Sequence, residues 1–309
     1  MINFVDFPYD FDEKDNLFLE ALESSKFFSK KSMDADITFL GCYPKISFSK
    51  KLTLFVKSRL TNDGMSEWLN HQRGLSNIKR ISGRKIWITF ENRRIPPHGV
   101  DLTLSFDSDP NNGKNLYFPL IYSYIDFLGT GSSYVRHPIE FEQLQLRRQN
   151  IGKPISDRKF ACTFINNPDP VRLRFIKELS RYGEIDVFGR YSNNYIADKI
   201  TKGNEYRFVI CFENDLFPGY VTEKPLEAWL SKSVPVYWGD DSAEILNSES
   251  LINCASYHSL AEAAQFVASL SKEPKLIEEI VKQPLLNTSV VKPDIVTFLD
   301  QIFNDLPLR

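Results

Sequence analysis

The feature that most constrains the fold is a regular alternation of apolar, strand-like runs and amphipathic, helical runs in the second half of the chain. The predicted strands there are KFACTFIN (159–166), EIDVFG (184–189), YRFVICFE (206–213) and VPVYWGD (234–240). Predicted helices cover VRLRFIKELSRYG, which Gly183 ends, then EKPLEAWLS (223–231), Leu260–Leu270 and Pro274–Lys282. Strands that alternate with helices indicate βαβ units and hence a parallel sheet.

The first half repeats this pattern less regularly. INFVDF (2–7) and DITFLG (36–41) read as strands around a helical run, and the strand series continues with LTLFVKS (52–58), KIWITFE (85–91) and VDLTLSFD (100–107). A further helix is expected near 64–73. Turn-rich residues 127–138 and a polar segment broken by Gly152 and Pro154 indicate a domain boundary near 140–158. We therefore expect two α/β domains, 1–145 and 146–309, with a cleft between them. The last helix of the chain could pack back on the N-terminal domain.

Charge and cysteine content exclude several classes of function. The formal net charge of the 309 residues is only -2, so the overall field favours neither nucleic acid nor acidic lipid as a partner. The cysteines are widely spaced, mostly lie in apolar runs, and form no CxxC pair, so buried thiols are expected rather than disulfides or metal ligands. The N-terminal segment has no basic region followed by a long apolar run. We expect a cytoplasmic protein, with association with the inner face of the membrane left open.

One stretch between the third strand and its helix, CFENDLFPGYVTEKPLEAW (211–229), gathers polar side chains at the edge of the predicted sheet. Ligands of open parallel sheets bind beyond the carboxyl ends of the strands, where Glu213 and Asn214 are placed. With Thr222 as the predicted N-cap, the helix start and Lys224 suit a phosphate, because a lysine there opposes the helix dipole unless an anion is near. The alternative is an ordinary amphipathic helix with Leu226 and Trp229 buried. No GxGxxG or GxxxxGK[ST] motif is present.

The same stretch, extended to FENDLFPGYVTEKPLEAWLSKSVPVYWGD, closely resembles the signature of the α-1,3-fucosyltransferases, glycosyltransferase family 10, of bacterial type. NNPDPVRLRFIKELSRYGEIDVFGR and NLYFPLIYSY resemble the family more weakly, so the resemblance covers roughly half of the chain. It implies a GT-B glycosyltransferase fold, with two Rossmann-like domains facing a cleft. It also implies inverting transfer of L-fucose from GDP-β-L-fucose to a hydroxyl of an N-acetylglucosamine or glucose unit in an oligosaccharide or lipid-linked glycan.

The resemblance also implies roles for individual residues. Arg172 matches the family's diphosphate-binding arginine, although Arg174 competes for that role. The signature's donor-binding residues match Asn214, Tyr220, Glu223 and Lys224. A guanidinium and an ammonium can stabilise the charge of a diphosphate leaving group, so no metal or cofactor is expected to be required, although a divalent cation could stimulate. Glu223 could also stabilise a sugar ring with oxocarbenium character, which gives it a catalytic role.

The general base is where this chain departs from the family. An inverting transferase needs a base for the acceptor hydroxyl, and family members place it in a Glu-Ser-Pro context after an N-domain strand. In KIWITFENRRIPPHG that position falls on Arg93, which cannot act as a base at neutral pH. Glu91, two residues earlier, is the predicted catalytic base, with Asp101 and His98 behind it. The alternative is that Glu91 only ends a strand in an ion pair with a neighbouring arginine.

Two other functions stay open. The chain could use another GDP-activated deoxy or amino sugar, because the signature residues specify the nucleotide of the donor better than they specify its sugar. It could also be a glycan- or nucleotide-binding relative without catalysis, as the missing Glu-Ser-Pro suggests. Asp240 and Asp241, after the last signature strand, are predicted to cap a helix.

Overall fold

A computed structural model describes residues 1–7, 12–25, 27, 36–42, 81–89, 92, 99–107, 113–131 and 139–303. The chain divides into two compact units, one formed by Met1–Arg136 with Pro293–Arg309 and the other by His137–Lys292. The domain boundary predicted between residues 145 and 146 stays a prediction. The strand predicted at 52–58 and the helix predicted near 64–73 lie outside the described residues.

The N-terminal unit contains a parallel sheet whose described strands follow chain order. They are β1 (Ile2–Val5), β2 (Ile37–Leu40), β3 (Arg84–Ile88), β4 (Leu102–Ser105) and β5 (Asn115–Tyr117). Helix α1 (Leu17–Glu23) follows β1, and the Asn16 side chain caps it by accepting a hydrogen bond from the Leu19 N–H at 2.9 Å. The helix near the C-terminus packs on α1, and the hydroxyl of Ser25 donates to the Asp300 carboxylate beside that contact.

Aromatic side chains fill the core of the N-terminal unit. The rings of Phe18 and Phe39 lie 6.0 Å apart, and those of Phe118 and Phe127 lie 5.6 Å apart. Aromatic pairs at such distances add to the free energy gained by burying their area. Thr103 and Ser105 are buried polar residues of β4, and their hydroxyls donate to the Asn115 amide oxygen at 2.7 and 2.8 Å. These two buried hydroxyls therefore have their hydrogen-bond acceptor within the sheet.

The C-terminal unit contains a second parallel sheet, with strand order β10-β9-β8-β6-β7. Its strands are β6 (Lys159–Phe164), β7 (Ile185–Phe188), β8 (Tyr206–Phe212), β9 (Val234–Trp238) and β10 (Ile252–Asn253). The helices are α2 (Pro170–Leu179), α3 (Lys199–Gly203), α4 (Lys224–Leu230), α5 (Leu260–Leu270) and α6 (Pro274–Lys282); α7 (Ile295–Asp300) belongs to the N-terminal unit. Central β8 is almost continuously buried, as expected for a parallel strand that is covered on both faces.

The α/β class predicted from the sequence is confirmed in both units. The strand pairs described in the two sheets are all parallel. The four cysteines are buried and free, as predicted, and burial raises the pKa of the Cys162 and Cys211 thiols. No helix of the described residues combines the length and hydrophobicity needed to cross a membrane.

Helix α4 is fixed at its C-terminal end by an arginine from the segment before β6. The guanidinium of Arg148 stacks 3.4 Å from the centre of the Trp229 ring and donates to the Trp229 carbonyl at 2.8 Å. Burial lowers the pKa of Arg148 to about 9. The Trp229 indole N–H in turn donates to the Gln283 carbonyl after α6 at 2.9 Å. These contacts hold the direction of α4 and so the position of its first turn.

Candidate functional site

The C-terminal sheet reverses its strand order between β6 and β8. From β6 the chain moves outward to β7, then returns across β6 to β8 and continues outward through β9 to β10. In open α/β sheets, the loops at the carboxyl ends of two such strands diverge and leave a crevice that binds ligands. The residues that follow β6 and β8, including Asn167, Glu213 and Asn214, lie at this crevice.

Arg172 joins the carboxyl ends of β6 and β8. It lies in the first turn of α2, where the Asp169 carboxylate caps the helix by accepting the N–H groups of Val171 and Arg172 at 2.9 and 3.1 Å. The Arg172 side chain is buried, with its residue only 4% exposed. Exposed Arg174 points away from that interior, so burial distinguishes the two arginines that compete for the diphosphate role.

The hydrogen-bond acceptors of the Arg172 guanidinium are neutral oxygens. Nη2 donates to the Phe212 carbonyl at 2.6 Å and to the Asn214 amide oxygen at 3.2 Å, and Nη1 donates to the Asn167 carbonyl at 3.4 Å. Burial lowers the pKa of Arg172, while the nearby carboxylates of Asp169, Glu213 and Glu223 act in the opposite direction. A buried cation bonded to neutral oxygens retains strong attraction for an anionic ligand.

Glu213 is the centre of a second hydrogen-bonded group at the end of β8. Its residue is fully buried, and its carboxylate accepts the Thr222 N–H at 2.8 Å, the Thr222 hydroxyl at 2.7 Å and the Lys224 ammonium at 2.8 Å. Burial lowers the pKa of Lys224, but Glu213 and Glu223 outweigh that effect and raise it above the ordinary lysine value. Lys224 is therefore charged in the folded protein.

This geometry explains the lysine that opposes the dipole of α4. The predicted compensating anion was a phosphate, whereas the protein itself supplies the Glu213 carboxylate, 2.8 Å from the Lys224 ammonium. The predicted helix start is also wrong by one residue, because Glu223 occupies the N-cap position and Thr222 instead turns its hydroxyl to Glu213. The sequence placed Glu213 at the ligand-binding edge of the sheet but did not predict that its carboxylate would bind Lys224.

Glu223 stands among three cations. Its charge acts to raise the pKa values of all three; burial still lowers the pKa of Arg172, whereas the pKa values of Lys199 and Lys224 are raised. Lys199, in α3, bonds both carboxylate oxygens of Glu227 at 3.1 and 3.0 Å, and Glu227 and Glu223 outweigh the effect of burial and raise the Lys199 pKa. Lys199 was not predicted, because nothing in its own segment indicates that α3 brings it to α4.

The other two predicted donor-binding residues have different environments. Asn214 is exposed and its amide oxygen binds Arg172, whereas Tyr220 is only 2% exposed. The turn before Tyr220 depends on Gly219, whose φ is +75°, a backbone conformation that favours glycine. Its N–H donates to the Asp240 carboxylate at 3.4 Å, which ties this turn to the end of β9.

The prediction that Asp240 and Asp241 cap a helix is wrong. A turn rather than a helix follows them: the Asp240 carboxylate accepts the Ser242 N–H at 2.9 Å, and that of Asp241 accepts the Ile245 N–H at 3.1 Å. Burial raises the pKa of Asp241 to about 6. Both carboxylates line a cavity of about 400 Å³ at the ends of β9 and β10.

The predicted general base, Glu91, and one of its alternatives, His98, lie outside the described residues. The other alternative, Asp101, is described within the N-terminal unit. Its carboxylate accepts the Arg84 guanidinium at 3.0 Å and the Lys85 N–H at 2.8 Å. Asp101 therefore serves an ion pair between the starts of β3 and β4. No group of three or more potential metal ligands is present among the described residues.

Comparison with protein families gives a match in the unit that contains the crevice. Residues 156–281 match the model described as glycosyltransferase family 10 (fucosyltransferase) C-term. The chain is 24% identical over 230 residues to an α-(1,3)-fucosyltransferase of Helicobacter pylori, which covers 67% of this chain and 48% of that protein. It is 32% identical over 128 residues to the human 4-galactosyl-N-acetylglucosaminide 3-α-L-fucosyltransferase 9. That alignment covers 39% of this chain and 36% of the human protein. The chain thus spans about half or less of these relatives.

The fold is shared over nearly the whole chain. A crystal structure of an α1,3-fucosyltransferase aligns with a TM-score of 0.66 at 19% identity, covering 98% of this chain and 90% of that one. A second crystal structure, of an α1,3-fucosyltransferase with GDP-fucose, aligns with a TM-score of 0.65 at 19% identity. This alignment covers 100% of this chain and 91% of that one. The likeness confirms the predicted GT-B class, with an α/β unit and a parallel sheet in each half. Residues 156–281 thus resemble the C-terminal part of glycosyltransferase family 10, and the likeness of fold extends over nearly the whole chain.

Proposed function

We propose that the chain is an inverting α-1,3-fucosyltransferase that transfers L-fucose from GDP-β-L-fucose to a hydroxyl of an N-acetylglucosamine or glucose unit of a glycan. The observation that carries the proposal is a pair of cations at the crevice where the strand order reverses, the buried Arg172 and the partly buried Lys224. These residues lie inside the segment that matches the family, and one structural neighbour was crystallised with GDP-fucose.

The chemistry of the leaving group fits the two cations. Breaking the bond between fucose and GDP places negative charge on the diphosphate, and fixed cations in a site of low polarity stabilise that charge in the transition state. Arg172 is held by four oxygens and does not need to reorganise. Lys224 is held by Glu213 and Thr222, so its ammonium can turn a remaining N–H toward a phosphate oxygen.

Glu223 is the proposed carboxylate at the sugar. It is partly exposed and lies near Arg172 and Lys224. The hydrogen bonds described above for these two cations go to other acceptors. A carboxylate there can bind hydroxyls of the sugar or stabilise a ring with oxocarbenium character. Asn214 and Tyr220 complete the proposed donor-binding set, Asn214 through the exposed side chain that also positions Arg172.

Glu91 is the proposed base that removes the proton from the acceptor hydroxyl. The engagement of Asp101 with Arg84 and Lys85 favours Glu91 over that alternative, because both Asp101 carboxylate oxygens already accept hydrogen bonds within the protein. Since the leaving group's charge is stabilised by side chains, the proposed reaction requires no metal ion or other cofactor. A divalent cation that stimulates turnover would act on the diphosphate.

The test is a transfer assay with purified protein, GDP-fucose and a panel of lactosamine, lactose and lipid-linked acceptors, with the anomeric configuration of the product read by NMR. We expect an α-linked product and at least a hundredfold lower rate in Glu91→Gln with an unchanged Kd for GDP. Full activity of Glu91→Gln would refute the assignment of the base. Turnover of a different GDP-sugar, or binding of GDP-fucose without turnover on any acceptor, would replace the proposal by one of its two alternatives.

A further inference from the structure

A cavity of about 400 Å³ lies at the carboxyl ends of β9 and β10 in the C-terminal unit. The apolar part of its wall comes from Tyr237, Leu246 and Leu251, which are buried, and from Leu216, which is 46% exposed. Cavities that bind small organic ligands are typically about 300–1,000 Å³ in volume, with apolar walls and a few fixed polar groups. This cavity has the size of such a site, and the function proposed above uses none of its lining residues.

The polar groups of the wall are held in place by hydrogen bonds within the protein. Among the described residues, the two hydrogen bonds that the Asp241 carboxylate accepts both go to Oδ1, from the N–H groups of Ile245 and Leu246 at 3.1 and 3.3 Å. Its Oδ2 therefore remains as an acceptor for a ligand. The Asn253 amide nitrogen donates to the Gly239 carbonyl at 3.1 Å and carries a second N–H, which can donate to the same ligand.

The chemistry of this wall favours a neutral sugar ring. The C–H groups of a sugar ring gain free energy by leaving water against apolar side chains, and its hydroxyl groups both donate and accept hydrogen bonds. Two carboxylates, Asp240 and Asp241, line the cavity, and among the described lining residues there is no lysine or arginine. An anionic ligand such as a phosphate or a uronic acid is therefore repelled, because its charge would face like charges without a partner.

The cavity is close to the candidate donor site but separate from it. Leu216 belongs to the loop between β8 and α4, which also carries the proposed donor-binding residues, and the Gly219 N–H of that loop donates to the Asp240 carboxylate at 3.4 Å. The strand order β10-β9-β8 places the ends of β8 and β10 two strand spacings apart, about 10 Å. A ligand in the cavity therefore lies beside the crevice that contains Arg172, at a distance that one further sugar ring can bridge.

We propose that this cavity binds a neutral sugar ring of the acceptor glycan, adjacent to the ring that receives fucose. The inference rests on the proposed function, because it takes the crevice as the place of the donor and a glycan as the acceptor. Oδ2 of Asp241 accepts from one hydroxyl of the ring, the Asn253 amide donates to another, and Leu216 covers an apolar face. The cavity thus selects acceptors whose neighbouring ring carries hydroxyl groups and no charge.

Methyl NMR of the full chain with ¹³C-labelled leucine tests binding at this place without any turnover. The probe is N-acetyllactosamine, and the matched probe is the same disaccharide with C6 of its galactose oxidised to a carboxylate. We expect N-acetyllactosamine to shift the methyl signals of Leu216, Leu246 and Leu251 but not those of Leu276, which is 52% exposed on α6. The oxidised disaccharide should bind about tenfold more weakly, because its carboxylate faces the two carboxylates of the wall.

Two variants test the lining residues themselves. Asp241→Asn keeps the size of the side chain but removes its charge, so we expect the discrimination between the two disaccharides to fall about threefold, since Asp240 keeps its charge. Leu216→Ala removes exposed apolar wall and should raise the KM for N-acetyllactosamine about threefold, with kcat and the Kd for GDP unchanged. Glu249→Gln is the matched control, because Glu249 is exposed in the turn before β10 and is not among the described lining residues.

The leucine signals also separate this inference from the proposed function. Unmoved signals of the three lining leucines in a protein that transfers fucose to N-acetyllactosamine would overturn the subsite. Equal shifts with L-fucose alone would overturn it as well, because the cavity would then belong to the sugar of the donor, and equal binding of the two disaccharides would overturn the selection of a neutral ring. Shifts caused by N-acetyllactosamine in a protein without fucosyl transfer would support the subsite and refute the transferase proposal.

Discussion

The two parallel sheets of this protein differ in the order of their strands. That difference determines where a crevice lined by charged side chains can form. In the N-terminal unit the described strands follow one another from β1 to β5 without a reversal, whereas the C-terminal sheet reverses between β6 and β8. A reversal separates the loops at the carboxyl ends of neighbouring strands and opens a crevice. The two cations described above, the buried Arg172 and the partly buried Lys224, lie at that crevice.

Buried carboxylates in the two units show the same contrast. Asp126 of the N-terminal unit is 6% exposed and accepts four backbone N–H groups of the loop that follows it, two of them at 2.8 Å. Its charge is satisfied by local backbone, as in many turns. Glu213 is bound instead by Lys224, a side chain that can also bind a ligand. The first carboxylate therefore stabilises only its own loop, and the second couples the stability of its unit to the candidate site.

The largest expected effect comes from breaking that coupling. Lys224→Ala leaves the Glu213 carboxylate buried without its cation, so we expect the free energy of unfolding to fall by about 3–5 kcal/mol in urea denaturation. The double variant Glu213→Gln/Lys224→Met removes both charges and should recover most of the stability without recovering GDP affinity. Recovered GDP binding in the double variant would mean that Lys224 acts on the site only through the fold.

Arg172→Ala tests the other cation. We expect GDP affinity to fall about a hundredfold, about 3 kcal/mol, because a hydrogen-bonded guanidinium contributes on that order to binding a charged group. Arg174→Ala is the matched control, since Arg174 lies two positions along the same helix and is exposed. Equal losses in the two variants would show that the overall positive charge of α2, rather than the crevice, attracts the nucleotide.

The sequence predicted those parts of this arrangement that depend on local pattern. Helices α5 and α6 occupy the predicted ranges, Leu260–Leu270 and Pro274–Lys282, because their apolar spacing and the flanking proline are local signals. Strand β10 was missed since its two residues, Ile252–Asn253, are too few to show any period.

Contacts between distant segments could not be predicted in the same way. Arg172 meets the end of β8 only because the sheet places β6 beside β8, and the register of that pairing is not written in either strand alone. Lys199 reaches Glu227 across 28 positions in the chain. The family resemblance pointed to Arg172 and Lys224, but it did not reveal that Glu213 already binds the lysine.

A smaller effect is expected at Asp126 in the N-terminal unit, because its carboxylate binds only the backbone of its own loop. Asp126→Ala leaves four backbone N–H groups without the carboxylate, so we expect the free energy of unfolding to fall by about 2 kcal/mol. GDP affinity, measured on the same preparation below its unfolding transition, should not change. A change in the Kd for GDP in Asp126→Ala would contradict the difference in role between Asp126 and Glu213.

The smallest expected effect distinguishes two neighbouring carboxylates at the end of β9. Burial raises the pKa of Asp241 from 3.8 to about 6. Between about pH 4 and pH 6 the folded protein therefore binds more protons at this residue than the unfolded chain does, so this residue lowers stability as the pH rises through that window. Because Asp241 is partly exposed, we expect a loss of only about 1 kcal/mol.

Urea denaturation at a series of pH values measures this slope, and Asp241→Asn should flatten it between about pH 4 and pH 6. Asp240→Asn is the matched control with the opposite sign. Burial acts to raise the Asp240 pKa, but hydrogen bonds from Ser242 and Gly219 outweigh it and lower the pKa below 3.8. Asp240 therefore adds to the free energy of unfolding above pH 3.8, and this contribution is lost as the pH falls below that value. If Asp240→Asn flattened the slope of the free energy of unfolding against pH and Asp241→Asn left it unchanged, the slope would belong to Asp240 and not to Asp241.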